Sequence, residues 1–348
     1  MTITRRGFLG YCIASAAALK LTSLDLLKLR VALADPNAQS FVWLVGSACS
    51  GCSISLLNRL STSGANPNDV NLPSLGHLLL GCTDTTCVPN PTYPNDSINL
   101  IYHPTLMAAA GETASDVVQN LTAGSYVLVV EGGVPTAFGG ACCIPWSRNG
   151  VETTFKQAVT DLAANAKYIV TVGTCASFGG VPASGPNPGG VVKVSDITQR
   201  PDVTVNVPGC PPNPDWIVWT IVQLLSKGMP TLDNMAYSIN NNNIVTKRPV
   251  AIYGTAAVDD DVHHKCKRLN NAHATDFGQD NLCLMKLGCN GPGTHAPCPI
   301  WAWNRGTDLT VNSGGWCVDA NANCLGCTEP TFPNASPQYP DFYTPPNS

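Results

Sequence analysis

The stretch Phe41-Val42-Trp43-Leu44-Val45-Gly46-Ser47-Ala48-Cys49-Ser50-Gly51-Cys52 joins an unbroken apolar run to a cysteine pair across a short turn. A β-branched and aromatic run of this length reads as a parallel strand buried on both faces. Cysteines just past its end sit at the carboxyl edge of a sheet, where open α/β sheets bind ligands. The arrangement recurs. Residues 168–172 run into Gly173-Thr174-Cys175, and residues 203–207 run into Pro208-Gly209-Cys210-Pro211-Pro212. Residues 99–102 and 126–130 give two further strands, the second followed at once by Glu131. Helices are expected between them at 53–60, 105–120, 151–165 and 215–227. The last is led by Pro214, whose missing N–H costs nothing at a helix start. Alternating strands and helices predict a doubly wound α/β sheet. Its strand-end loops bring Cys49, Cys52, Cys175 and Cys210 to one crevice, which Glu131 also lines.

Beyond residue 228 the periodicity fades, and Asn, Gly, Pro and Cys dominate to residue 348. Such a segment holds little regular structure, and bound metal would organise its core. Residues 65–94 read as a separate loop-like insertion. Charged residues make up 12% of the chain against 44% hydrophobic, which is sparse for a free-standing soluble protein. With a net charge of −4, nothing points to nucleic acid.

The first 34 residues read as a targeting segment. Thr4-Arg5-Arg6-Gly7-Phe8-Leu9 is a twin-arginine pattern, an apolar stretch follows, and Ala32-Leu33-Ala34 supplies a cleavage site, so the mature chain would begin near Asp35. No later run is long and apolar enough to span a membrane. Twin-arginine export carries folded proteins. Metal can therefore be inserted in the reducing cytoplasm before thiols meet an oxidising compartment.

The chain has 16 cysteines. Cys49-x-x-Cys52 alone fits a redox dithiol, half a zinc site or half a cluster site. The lone strand-end cysteines Cys175 and Cys210 complete a four-thiolate set suited to an iron–sulfur cluster. A second group is His263, Cys266, Cys283 and Cys289, for which zinc and a cluster fit equally well from the residues alone. The i, i+3 spacing to Cys266 favours His263 over the adjacent His264. The third group is Cys298, Cys317, Cys324 and Cys327, whose four thiolates favour a complete 4Fe–4S cube over a three-iron cluster. Cys12 lies in the leader, Cys82 and Cys87 suggest a disulfide formed after export, and Cys142 and Cys143 read as buried, unligated thiols.

Taken together these residues resemble the small, iron–sulfur subunit of nickel–iron hydrogenases. The carrying motifs are Cys49-Ser50-Gly51-Cys52-Ser53, His103-Pro104-Thr105 with Gly111-Glu112, Val130-Glu131-Gly132, Gly173-Thr174-Cys175-Ala176 and Val207-Pro208-Gly209-Cys210. Downstream they are Cys283 to Pro292, Cys298-Pro299 and Cys324-Leu325-Gly326-Cys327-Thr328-Glu329-Pro330. The resemblance implies a flavodoxin-like domain over 35–228 with a proximal 4Fe–4S cluster on Cys49, Cys52, Cys175 and Cys210. It implies a C-terminal domain over 229–348 with a distal 4Fe–4S cluster on His263, Cys266, Cys283 and Cys289. A medial one would sit on Cys298, Cys317, Cys324 and Cys327. Most relatives carry proline where this chain has Cys317, and without that ligand the medial cluster would hold three irons. The fourth cysteine resembles the nickel–iron–selenium branch. The oxygen-tolerant branch has two extra cysteines at positions matching Gly51 and Gly180, so a standard four-cysteine proximal cube is expected.

The same resemblance implies a periplasmic hydrogenase whose nickel–iron centre lies in a partner large subunit, with no catalytic residue in this chain. Electrons would pass to a redox partner such as a cytochrome or a membrane subunit, and any membrane contact would come through another subunit. The competing readings are a cluster subunit of a quinone-reducing complex, which lacks the C-terminal cysteine-rich part, and an exported, disulfide-stapled binding protein.

Overall fold

Five strands carry the sheet: β1 (Gln39–Val45), β2 (Ile98–Tyr102), β3 (Tyr126–Glu131), β4 (Tyr168–Val172) and β5 (Thr204–Val207). The computed structural model describes residues 39–58, 75–80, 97–107, 109–239, 242–255, 257, 259–301, 303 and 315–333. The expected leader with Cys12, the Cys82–Cys87 pair and most of the 65–94 insertion lie outside them.

The strand order is β2-β1-β3-β4-β5, and every pairing is parallel. Chain direction across the sheet therefore reverses between β1 and β3, which is the switch point where such sheets open a binding crevice. Helices α1 (Gly51–Leu57), α2 (Gly111–Gln119), α3 (Phe155–Asn165) and α4 (Thr174–Phe178) lie between the strands, and α5 (Pro214–Ser226) follows the last of them. Alternate residues of β1 serve opposite faces. Phe41 and Trp43 join Val127, Val129, Val170, Val172 and the α5 side chains, whereas Val42 and Leu44 join Leu128, Val130, Ile169 and α3. Every residue of β3 is buried. Full burial of each such side chain contributes about 1.5–3 kcal/mol, so these two apolar layers fix the sheet.

Helix α5 is buried nearly all round, from Trp216 to Leu224. A helix apolar on every side needs a second covering layer. The C-terminal segment supplies it: Ile252, Tyr253, Val262, Trp301, Trp316 and Val318 share one core with α5 and the sheet. Asn213 caps α5, its side chain accepting from Asp215 N–H at 2.9 Å and donating to Trp301 O at 2.8 Å. Among the described residues, regular structure after 228 is limited to the hairpin Ala236–Ile239/Asn242–Val245, two single-turn helices and one 3-10 turn.

Three expected elements differ. The helix expected from 105 starts at Gly111, because the His103 carbonyl accepts from Leu106 and Met107 in a turn. The helix expected from 151 starts at Phe155, capped by Thr154. Val151–Thr153 instead pairs with Trp146–Arg148 through Asn149-Gly150, both at positive φ, as a two-residue Asn-Gly hairpin turn demands. Within the expected loop insertion, Leu75–Leu80 is helical and sends Leu78 into the core.

Gly46 links β1 to the first cysteine loop at a point with no room for a side chain. A Cβ there would lie 2.4 Å from the Phe155 ring and 2.8 Å from Gly133 O. Gly46→Ala is therefore expected to cost about 1–3 kcal/mol through overpacking. Urea unfolding of the purified complex checks this, and an unchanged midpoint would contradict the packing.

Candidate metal centres

The first group forms at the crest of the sheet. Cys49 and Cys52 follow β1, Cys175 lies in the first turn of α4, and Cys210 follows β5. Glycines make the approach possible. A Cβ at Gly173 (φ 90) would lie 2.5 Å from Cys52 Sγ, and one at Gly180 (φ 55) 3.1 Å from Cys175 Sγ. At Gly51 it would lie 3.0 Å from Cys49 Sγ. Gly51 and Gly180 thus both abut sulfurs of this group. Burial first, then the Glu131 carboxylate, then the thiols of Cys175, Cys49 and Cys210 push Cys52 well above its ordinary value. Burial, followed by Cys210, pushes Cys175 up to about 12. Cys49 and Cys210 are exposed, so the group opens onto the surface of this chain.

Glu131, fully buried, anchors the floor of this group. Its carboxylate accepts from Cys52 N–H at 3.1 Å, from the Trp43 indole at 3.1 Å and from the Ser53 hydroxyl. Behind Ser53 stands His103, 1% exposed, its ring 5.1 Å from that of Trp43. Thr105 N–H donates to His103 Nδ1 at 3.2 Å, which leaves the ring proton on Nε2, 3.3 Å from Ser53 Oγ. Donors therefore run one way, from His103 through Ser53 to Glu131, and burial lowers the His103 pKa to about 4. Sequence reasoning reached Glu131 but not the roles of Ser53 and His103. The signal was the His103-Pro104-Thr105 motif, whose partners lie about 50 residues away.

In the second group, His263, Cys266, Cys283 and Cys289 line a single cavity with Arg268 and Trp316. His263 belongs to the turn Val262–Lys265, capped by Asp261, whose carboxylate accepts from His264 N–H at 2.8 Å. The His264 imidazole is held instead by Asp261 at 2.8 Å, so the structure turns His263, and not His264, into the cavity. Backbone amides point at two sulfurs: Arg268 N–H to Cys266 at 3.4 Å and Cys324 N–H to Cys289 at 3.4 Å. A zinc ion would hold its donors at about 2.0–2.3 Å. Among the described residues no three His, Cys, Asp or Glu side chains close on one ion-sized point. The four donors are spread around the cavity instead.

The third group contains the most deeply buried of these cysteines, Cys324. Burial first, then Cys327, Cys324 and Cys317, push the Cys298 thiol well above its ordinary value. Burial also takes Cys327 up to about 12, opposed by the Cys210 amide donating toward its sulfur. Cys324 is buried, while Cys317 reaches the surface. The three groups touch in series. Next to Cys175 of the first, the Thr174 hydroxyl donates to Cys327 O of the third. Cys324 of the third meets Cys289 of the second. The spatial order is first, third, second, unlike the order along the chain.

This donor set fits iron–sulfur chemistry. Sulfurs crowded out of water resist ionisation singly, and a cationic iron core offsets both the burial and their mutual repulsion. Cys142 and Cys143 stand apart from all three groups. Cys142 is exposed and Cys143 half-buried, which corrects the expectation that both are buried: the 3-10 turn Ala137–Gly140 leads the chain outward here.

A parallel sheet with cysteines along its carboxyl edge defines a class of redox subunit. The family described as NADH ubiquinone oxidoreductase, 20 Kd subunit, matches residues 81–224. The family described as the C-terminal part of the NiFe/NiFeSe hydrogenase small subunit matches residues 259–339, the part that the quinone-reducing alternative lacks. The chain is 32% identical over 355 residues to the periplasmic [NiFeSe] hydrogenase small subunit of Desulfomicrobium baculatum, covering 97% of this chain and 99% of that one. It is 34% identical over 340 residues to the periplasmic [NiFe] hydrogenase small subunit of Solidesulfovibrio fructosivorans, covering 95% and 90%. The recombinant [NiFeSe] hydrogenase structure from Desulfovibrio vulgaris Hildenborough superposes with a TM-score of 0.68 at 30% identity, over 88% of this chain and 99% of that one. The chain belongs to the small-subunit family of nickel–iron and nickel–iron–selenium hydrogenases.

A buried, neutral His103 links stability to pH. Its folded pKa of about 4 lies below the ordinary 6.5, so the unfolded chain binds more protons between these values. Its contribution is level above pH 6.5 and falls as pH drops toward 4, by about 3 kcal/mol in all. His103→Gln should flatten that limb of the stability–pH curve, and an equally steep limb in the variant would rule the assignment out.

Proposed function

We propose that this chain carries electrons between the nickel–iron centre of a partner large subunit and an external acceptor, during reversible oxidation of dihydrogen. Its relatives are periplasmic hydrogenase small subunits by name. The observation that carries the reading is the serial contact of the three donor groups, Thr174, beside Cys175, to Cys327 and Cys324 to Cys289. Cys49, Cys52, Cys175 and Cys210 would hold a proximal 4Fe–4S cluster, and Cys298, Cys317, Cys324 and Cys327 a medial one. His263, Cys266, Cys283 and Cys289 would hold the distal cluster. When bound, these clusters supply one-electron donors and acceptors in series.

The chain's own residues set the direction and the edges of that series. Cys49 and Cys210, exposed at the sheet's crest, mark the face that the large subunit would cover. Glu131 fixes the Cys52 amide, and so the first loop, from beneath. At the far end His263 replaces a thiolate with a neutral imidazole, which leaves that group one charge less negative where a cytochrome or membrane subunit would approach. Export by the twin-arginine route rests on Arg5-Arg6 and the apolar stretch behind them. No helix among the described residues is long and apolar enough to cross a membrane.

Iron and acid-labile sulfide analysis of the anaerobically purified heterodimer tests the reading: about twelve sulfides and about thirteen irons are expected, twelve of the irons from three four-iron clusters and one from the partner's nickel–iron centre. Colourless, metal-free protein would overturn it. Cys317→Pro should convert the medial cluster to a three-iron form with a raised potential, and an unchanged electron paramagnetic resonance spectrum in both redox states would count against Cys317 as a ligand.

A further inference from the structure

Arg248 is fully buried and belongs to none of the three donor groups. Its Nε donates to Asp233 Oδ2 at 2.9 Å, and one terminal nitrogen donates to Glu329 Oε1 at 2.9 Å and to Thr328 O at 3.2 Å. Both carboxylates are saturated with donors. Asp233 Oδ1 also accepts from Arg248 N–H at 2.7 Å and from the Thr246 hydroxyl at 2.6 Å. Glu329 accepts from Tyr237 OH at 2.6 Å and from His295 N–H at 2.6 Å. A carboxyl group that only accepts is ionised, so one cation stands among two anions.

The triad sits where two donor groups meet. Thr328 and Glu329 directly follow Cys327 of the medial group. On the other side the Arg248 guanidinium packs 5.4 Å from the Tyr253 ring centre, and Tyr253 OH donates to Pro208 O at 2.7 Å, two residues before Cys210 of the proximal group. Tyr253 is also near enough to Cys298 and Cys327 for their charges to act on its hydroxyl. Arg248 thus holds the Cys327 loop directly and the Cys210 loop through Tyr253, and it sets charge behind the first of these. A buried ion triad is weak as a source of stability alone, since desolvation offsets most of the attraction. Specific positioning is the better account of its presence.

We propose that Arg248, with Asp233 and Glu329, is a positioning triad that holds the proximal and medial cysteine loops in register and sets the redox potential of the medial cluster. This rests on the cluster assignment above. Reduction adds one electron to the medial group, so a carboxylate behind Cys327 opposes it and the arginine favours it.

The test is a potentiometric titration of the purified heterodimer, followed by electron paramagnetic resonance, with iron content measured on each sample. Glu329→Gln keeps the shape and removes one negative charge, so the medial potential should rise. Asp233→Asn, further from the ligand loop, should raise it by less, and carries the test if Glu329→Gln fails to assemble. Tyr237→Phe removes a hydrogen bond and no charge, and should leave the potential in place. A full iron complement with potentials unmoved in both charge variants would overturn the triad's role while leaving the cluster assignment standing. Wild-type protein without iron would overturn both.

Discussion

Thiolates in a buried pocket repel one another, and only a cationic core among them lets four stay together. That constraint shapes this molecule. Cys52, Cys298 and Cys324 are shielded from water and surrounded by other cysteines, so as bare thiols they resist ionisation. The fold answers with backbone amides aimed at sulfur, from Arg268 to Cys266 and from Cys324 to Cys289. Hydrogen bonds of this kind, with ligand identity and exposure, are the means by which a protein tunes such a centre.

The sheet and the irregular C-terminal part divide the labour. The parallel strands gather Cys49, Cys52, Cys175 and Cys210 from distant places in the chain, because each loop leaves the same edge. The C-terminal part has little regular structure among its described residues. It borrows rigidity from α5, whose outer face it covers with Trp301, Trp316 and Tyr253. Two buried arginines then span neighbouring donor groups. Arg248 joins the Cys327 loop to the region of Cys210. Arg268 donates to Leu282 O at 3.1 Å, beside Cys283, and to Asn321 at 2.8 Å, between Cys317 and Cys324.

Much of this was legible in the sequence because buried parallel strands announce themselves as unbroken apolar runs. Residues 126–130 and 168–172 are near-complete examples, and the cysteines that follow β1, β4 and β5 read directly as crest residues. Two kinds of information were not legible. Local turn chemistry overrode the helical pattern at 151–153, where Asn149-Gly150 makes a hairpin, and Leu75–Leu80 formed a helix inside a stretch whose flanks look like loop. Distance across the fold was the other. Nothing near His103 in the chain reveals Ser53 or Glu131 as partners, and nothing in the order of the cysteines reveals that the last group lies between the other two.

The arrangement in series is best tested by anomalous X-ray diffraction at the iron edge from crystals of the anaerobically prepared two-subunit enzyme. Three separate iron peaks are predicted in this chain, the one on Cys298, Cys317, Cys324 and Cys327 flanked by the other two. A different order, or a lone ion with a zinc edge beside His263, would contradict the account.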